Sequence, residues 1–100
     1  MSRTEYSLAL TINGKQISRV VIDQHYKEKH AELDDKIIIE LVRELNGGNF
    51  PIEEEKEGFQ YFVVEPVFYG KRPYRLVLLL YIYDDFIGVI NAFRVKKAER

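Results

Sequence analysis

Apolar and polar residues alternate over residues 5–12, which is the pattern of a half-buried strand. The apolar face of this strand consists of Tyr6, Leu8, Leu10 and Ile12. The pair Asn13-Gly14 follows and suits a type I′ turn, because both central positions of that turn take positive φ. Residues 16–22 supply the returning strand. The pattern therefore predicts an N-terminal β-hairpin.

Two helices are predicted after the hairpin. Asp23 can accept hydrogen bonds from the free N–H groups at the start of a helix over residues 24–32. Asp34 or Asp35 can cap a second helix over about residues 35–46 in the same way. Apolar residues of the second helix recur at the i, i+3, i+4, i+7 spacing of a buried face. These residues are Ile38, Leu41, Val42 and Leu45.

A charged loop over residues 51–58 precedes three further strands, predicted over residues 59–69, 74–83 and 86–96. Pro66 has no N–H to donate, so the first of these strands lies at a sheet edge or contains a bulge at Pro66. The predicted fold is α+β, in the order β-β-α-α-β-β-β. It consists of the N-terminal β-hairpin, two helices and a three-stranded antiparallel meander, with both helices packed on one face of the sheet.

The length and composition of the chain exclude several classes of protein and of site. One hundred residues make room for one domain, and we assign residues 1–100 to a single domain. The absence of Cys excludes disulfides, thiolate nucleophiles and Cys-based zinc sites. No apolar run approaches the roughly 20 residues of a membrane span, and no signal peptide precedes the first strand. We therefore expect a soluble cytoplasmic protein that needs no cofactor and does not contact a membrane.

Charge is distributed unevenly along the chain. The formal net charge is −1, but residues 71–100 hold seven Lys and Arg against three Asp and Glu, and the preceding residues are acidic overall. This asymmetry predicts one surface that attracts anions. Basic residues that only keep the strand ends soluble would give the same pattern.

Residues 25–30, HYKEKH, contain both histidines of the chain. On a helix His25 and Lys29 lie one turn apart and share a face. A histidine titrates near neutral pH and can act as a general acid or base, and a neighbouring lysine can neutralise a phosphate. Alternatively, Tyr26 and His30 pack against the sheet while His25 is solvated. The five-residue spacing of the histidines does not suit a helical metal site, so we expect no bound metal.

Residues 70–75, GKRPYR, place cations beside an aromatic ring. Guanidinium groups pair with phosphates, and aromatic rings stack on bases. Lys71 and Arg72, in a turn between two predicted strands, are therefore candidate RNA-binding residues, together with Lys29. The alternative is a solvated hairpin tip in which Tyr74 covers the edge of the core.

Arg94 lies near the end of the last predicted strand. Strict alternation places Ile87 and Val89 on one face and Arg94 on the opposite face. A cation that projects from a sheet among apolar side chains needs an anion, which Glu65 or the phosphate of a ligand would supply. Asn91 likewise needs a hydrogen-bond partner if it is buried.

The stretch PYRLVLLLYIYDDFIGVINAFR reads as a strand, an acidic turn and a strand that ends in Arg. It follows the segment IDQHYKEKH and the predicted helix DDKIIIELVRELNGG. This layout, over about residues 20–96, resembles the RelE/ParE-like toxins and the wider group of small ribonuclease toxins that includes barnase-like and colicin-like nucleases. The N-terminal hairpin departs from the usual RelE-like start, which is helical.

The resemblance implies metal-independent RNA cleavage by attack of a 2′-hydroxyl on the adjacent phosphate. It implies His25 as the base or acid, Arg94 and Arg75 as phosphate ligands, and Tyr74 as a stacking or proton-donating group. Such toxins usually pair with an antitoxin protein. Three interpretations remain open: an endoribonuclease toxin, an inactive relative that binds RNA or an antitoxin, and a small α+β protein-interaction or oligomerisation domain. In the last, the strand over residues 59–69 would pair with its copy to form a homodimer.

Overall fold

The computed structural model describes residues 3–24 and 33–95. Its elements are β1 (Arg3–Ile12), β2 (Lys15–Asp23), α1 (Asp35–Arg43), β3 (Glu54–Lys56), β4 (Phe59–Tyr69), β5 (Arg72–Tyr81) and β6 (Phe86–Arg94). The six strands form one sheet in the order β1-β2-β6-β5-β4-β3. Neighbouring strands are antiparallel except β2 and β6, which are parallel, so the sheet is mixed.

The predicted order β-β-α-α-β-β-β is wrong in the number of helices and in the number of strands. The described residues contain one α-helix, which is nine residues long, and six strands rather than five. The additional strand β3 lies in the predicted loop over residues 51–58, where Glu54 pairs with Tyr61. The helix predicted over residues 24–32 lies, apart from Gln24, outside the described residues.

The predicted antiparallel meander is formed by β4, β5 and β6, and the hairpin joins it through the parallel pairing of β2 with β6, which the sequence did not predict. Val20 pairs with Ile87, and Ile22 pairs with Val89. All four side chains are buried, so this register adds the apolar face of the hairpin to that of the meander. The stretch of chain that separates the hairpin from the meander contains α1, and parallel strands need a long connection of this kind.

The β1–β2 hairpin has the predicted turn. Asn13 (φ 53°) and Gly14 (φ 75°) both take positive φ, as a type I′ turn requires. The chain after α1 then covers part of the outer edge of β1. The Thr11 N–H donates to Asn46 Oδ1 at 2.8 Å, and the Gly47 N–H donates to the Thr11 carbonyl at 2.7 Å.

Helix α1 begins where the sequence predicts. The Asp34 carboxylate accepts a hydrogen bond from the Ile37 N–H at 2.9 Å, which satisfies one of the free donors of the first turn. The helix ends at Arg43, three residues earlier than predicted, and Gly47 (φ 83°) closes the following turn. Its buried side chains are those of the predicted face, Ile38, Leu41 and Val42. Among residues 3–24 and 33–95 no helix is long and apolar enough to cross a membrane.

A polar cluster joins the start of α1 to β1. The Tyr6 hydroxyl donates to Asp35 Oδ2 at 2.5 Å. Gln24 Nε2 donates to Thr4 Oγ1 at 2.9 Å and also to the Asp35 carboxylate. The hydrogen bond to Asp35 raises the pKa of Tyr6 above its ordinary value, with smaller contributions from burial and from the charge of the carboxylate. These contacts fix the position of α1 over the sheet.

The two faces of the sheet differ in burial. Along β5, Leu76 and Leu78 are fully buried, whereas Val77 and Leu79 are partly exposed. We call the buried side, on which α1 packs, the helix face and the other side the open face. Strand β5 lies inside the sheet between β6 and β4, in agreement with its apolar sequence.

Candidate nucleic-acid interface

The hairpin between β4 and β5 leaves large apolar and charged side chains in solvent. Phe68 is 52% exposed and Tyr69 is 37% exposed, and Lys71 and Arg72 are also exposed. Gly70 has a φ of 64°, which glycine adopts without steric cost and which makes a tight turn possible. The hairpin therefore projects aromatic and cationic side chains from one end of the sheet.

Arg94, at the end of β6, lies beside this hairpin. It pairs with Tyr74 on β5, and Arg72 lies two residues before Tyr74 on the same strand. Diagonal neighbours of this kind have Cα atoms about 7–8 Å apart, so both guanidinium groups can approach the same ligand. We call the group formed by these side chains the basic end: Phe68, Tyr69, Lys71, Arg72 and Arg94.

The arginines of the basic end differ from three others in the described part of the chain. Those three lie next to carboxylates: Arg19, Arg43 and Arg75. Within residues 3–24 and 33–95, neither Arg72 nor Arg94 forms an ion pair or a side-chain hydrogen bond. Their charges are therefore available to an anionic ligand.

The structure places Arg75 and Arg94 on opposite faces of the sheet. Arg94 pairs with Tyr74, whose side chain belongs to the helix face. Arg75 follows Tyr74 along the strand and lies on the open face, where its Nη1 is 2.6 Å from Glu65 Oε1. Glu65, one of the two anions expected beside Arg94, thus pairs with Arg75 instead. The two arginines are not brought to one phosphate site.

Arg94 lies on the helix face because β6 contains a bulge. Its register against β5 shifts near the middle of the strand, and Val89 and Ala92, three residues apart, are both buried. The prediction that Arg94 lies opposite to Ile87 and Val89 is therefore wrong, because it assumed strict alternation. At the bulge the Asn91 side-chain oxygen accepts a hydrogen bond from the Ala92 N–H at 2.9 Å.

The other candidate site residues are distributed as follows. The Tyr74 side chain is 1% exposed and lies in the core, as the alternative interpretation of GKRPYR expected. His25, Lys29 and His30 lie outside the described residues. The described residues therefore bring together three of the predicted cations: Lys71, Arg72 and Arg94.

Two members of the basic end were not singled out from the sequence. Phe68 and Tyr69 belong to the strand predicted over residues 59–69, and strand aromatics normally pack against the sheet. The useful signal was their position directly before the Gly70 turn, where a hairpin extends beyond the core. Both are among the large apolar side chains that the fold leaves exposed.

The opposite end of the meander carries carboxylates. Residues 53–58 and 82–85 lie side by side there, and the Ile82 N–H donates to the Gly58 carbonyl at 2.9 Å. We call these two segments the acidic end. It exposes Ile82 and Tyr83, which are 43% and 75% exposed. Both ends of the meander thus combine exposed apolar side chains with charge, but of opposite sign.

The carboxylates of the β5–β6 turn are engaged by β2. Arg19 Nη2 lies 2.8 Å from Asp84 Oδ1 and 3.1 Å from Asp85 Oδ1, and its Nη1 lies 2.6 Å from Glu5 Oε2. The Ser18 hydroxyl donates to Asp85 Oδ2 at 2.5 Å. The hydrogen bonds from Ser18 and then from Arg19 lower the pKa of Asp85 to about 2. The carboxylates in turn raise the pKa of Arg19.

The described residues contain no group of three or more His, Asp or Glu side chains arranged to hold a metal ion. No family model, no curated protein and no solved structure matches the chain. The function of the basic end is therefore inferred from its own chemistry.

Proposed function

We propose that this protein binds single-stranded RNA through the basic end. The observation that carries the proposal is the position of Arg72 and Arg94 on neighbouring strands, beside the exposed ring of Tyr69. Neither arginine has a carboxylate partner among the described residues. A guanidinium group binds a phosphate through two parallel N–H donors, so the pair suits one phosphate or two consecutive ones.

The aromatic side chains of the basic end provide the second part of the interface. Tyr69 pairs across the hairpin with Arg72, so the ring and the guanidinium group lie on the same face. Bases that stack on exposed aromatic rings contribute about 1–3 kcal/mol each, with little dependence on sequence. Phe68, the preceding residue of the strand, pairs with Pro73 and lies on the opposite face, so Tyr69 is the ring beside the two arginines. This combination predicts binding with weak sequence preference.

The shape of the basic end favours a single strand over a duplex. A tight hairpin presents its rings at the tip, where they can stack only on bases that are unpaired. The described part of the interface contains no helix to enter a major groove. The proposed ligand is therefore an unpaired segment of RNA.

The proposal is for binding rather than cleavage. Cleavage by the 2′-hydroxyl needs a base, an acid and cations at one phosphate. Arg75 and Arg94 lie on opposite faces, and Tyr74 is buried. Among the described residues, Arg72 and Arg94 lie close together, and Arg75 does not join them.

Alanine substitutions at the basic end test the proposal. We expect Arg72→Ala and Arg94→Ala each to weaken binding of a fluorescein-labelled oligouridylate by about tenfold, or about 1.4 kcal/mol, because each removes a phosphate contact. Fluorescence anisotropy measures the affinity.

Arg43→Ala provides the matched control, since Arg43 is an exposed arginine of α1 beside Glu40. Its affinity for the same RNA should equal that of the wild type. Unchanged binding in both variants of the basic end, or an equal loss in Arg43→Ala, would contradict the proposal.

A further inference from the structure

The hydroxyl group of Tyr74 has no hydrogen-bond partner among the described residues. The side chain is only 1% exposed, and the hydroxyl of a buried tyrosine usually forms a hydrogen bond. The Tyr6 hydroxyl, for example, donates to Asp35 Oδ2. The Tyr74 hydroxyl makes no such contact within residues 3–24 and 33–95. Packing alone therefore does not account for a tyrosine, rather than a phenylalanine, at this position.

The same hydroxyl reaches the surface of the protein. In the described part of the chain, no side-chain oxygen or nitrogen is both enclosed from solvent and without a hydrogen-bond partner. Because the Tyr74 oxygen has no partner there, it is not enclosed, and the small exposed fraction of the residue includes its hydroxyl. The ring of Tyr74 is thus buried while the hydroxyl meets solvent.

The hydroxyl meets solvent at the basic end. Tyr74 lies on the helix face, opposite Arg94 on β6 and two residues after Arg72 on β5. Paired residues of neighbouring strands have Cα atoms about 4.5–5.5 Å apart, and residues two apart on one strand are separated by about 7 Å. The other neighbours of Tyr74 on this face, Val67 and Leu76, are buried. The hydroxyl therefore shares its surface with the two arginines.

We propose that the Tyr74 hydroxyl binds the 2′-hydroxyl of the ribose next to the phosphate held by Arg72 and Arg94, so that the basic end selects RNA over DNA. This inference rests on the proposed function and adds the sugar to it. A phenol hydroxyl can donate and accept a hydrogen bond, as the 2′-hydroxyl can. The 2′-hydroxyl is the group by which a protein distinguishes RNA from DNA at a given position.

The core holds this hydroxyl in a fixed position. The buried ring of Tyr74 cannot change its orientation freely, so little conformational entropy is lost when its hydroxyl binds a ligand. The side chains of Arg72 and Arg94 are exposed and long enough to adapt to the position of a phosphate. A fixed hydroxyl beside two adaptable cations suits a sugar, because the sugar is covalently attached to the phosphate.

Ligands that differ only at the 2′ position test the inference. Fluorescein-labelled oligouridylate and oligodeoxyuridylate of equal length carry the same bases and the same number of phosphates. The wild type should bind the RNA about fivefold more tightly, which is the effect of one hydrogen bond of ordinary strength. Tyr74→Phe should bind the RNA about fivefold more weakly than the wild type and the DNA equally well. Fluorescence anisotropy at one fixed salt concentration measures the four affinities.

A 2′-fluoro oligouridylate separates the hydrogen bond from the shape of the sugar. Fluorine keeps a ribose-like pucker but donates no hydrogen bond and accepts one only weakly. The wild type should therefore bind this ligand no more tightly than the DNA. Tyr61→Phe is the matched control, because it removes the hydroxyl of a half-buried tyrosine from the open face. Its affinities for RNA and DNA should equal those of the wild type.

Three results would overturn the inference. The first is a wild type that binds the RNA and the DNA equally. The second is a Tyr74→Phe variant that keeps the preference for RNA, or that loses affinity for both ligands by the same factor, as a contact to phosphate would. The third is a marked loss of stability of Tyr74→Phe in urea, since that would show that the hydroxyl has a partner within the protein.

The arginines separate this inference from the proposed function. Arg72→Ala should weaken the binding of RNA and of DNA by the same factor, because both ligands carry the phosphate. A loss in Arg72→Ala without any effect of Tyr74→Phe would overturn only the contact to the sugar. A wild type that binds neither ligand would overturn the proposed function itself.

Discussion

The basic end and the acidic end are both turns that close strands of the same meander, and each exposes two large apolar side chains. They differ in what their charges contact. At the acidic end, Asp84 and Asp85 bind Arg19 of β2. At the basic end, Arg72 and Arg94 contact no carboxylate among the described residues.

This difference separates charges that support the fold from charges that are free to bind a ligand. The Arg19 cluster connects β1, β2 and the β5–β6 turn through three carboxylates. It thereby fixes the parallel pairing of β2 with β6 near Phe86, over whose ring the Arg19 guanidinium lies at 5.5 Å. The basic end makes no comparable link within the described structure, so its residues can change without loss of the fold.

The largest effect that separates the two ends should come from their tyrosines. Tyr69→Ala should weaken binding of single-stranded RNA by about tenfold, since one stacked base contributes about 1–3 kcal/mol. Tyr83→Ala removes a more exposed ring from the acidic end and should leave the affinity unchanged. Anisotropy titrations of both variants measure the difference. Equal losses in the two variants would show that exposed aromatic side chains bind RNA wherever they lie.

A smaller effect should appear in the pH dependence of stability. The folded-state pKa of Asp85 is about 2, below its ordinary value of 3.8. The ionised carboxylate therefore stabilises the folded state above about pH 4, and this contribution is lost as the pH falls towards 2. The exposed position of the cluster keeps the effect modest, because solvent screens it.

Urea unfolding of the wild type and of Asp85→Asn checks this prediction. The wild type should be the more stable above about pH 4, and the difference should disappear as the pH approaches 2. Arg72→Ala should follow the wild-type curve, since the basic end does not support the fold. A stability difference between the wild type and Asp85→Asn that stays the same at every pH would contradict the stabilising contribution of the ionised Asp85 carboxylate.

The parts of the fold that the sequence predicted depend on neighbouring residues. Asn13-Gly14 determines its own turn, and Asp34 caps its own helix. The parts it did not predict depend on residues far apart in the chain. Strand β3 has no apolar signal, and it exists only as a partner of β4, with Glu54 opposite Tyr61. The parallel pairing of β2 with β6 likewise depends on matching two distant apolar faces.

In the candidate site, too, the features set by neighbouring residues were predictable, and those that depend on the pairing of distant strands were not. Lys71 and Arg72 were predicted at an exposed turn because Gly70 and Pro73 flank them. The side of the sheet on which Arg94 lies was not predictable from alternation, because a single bulge near Asn91 reverses every position after it. If the register next to the β5–β6 turn continued without this bulge, Arg94 would lie opposite Pro73, on the open face. With the bulge, it lies beside Arg72.

The salt dependence of RNA binding tests most directly whether Arg72 and Arg94 bind phosphate. On a single strand each neutralised phosphate contributes about 0.7 to the slope of log K against log salt concentration. The double variant Arg72→Ala/Arg94→Ala should therefore bind more weakly and with a slope smaller by about 1.4 than that of the wild type. Equal slopes for the two proteins would contradict phosphate binding by these arginines.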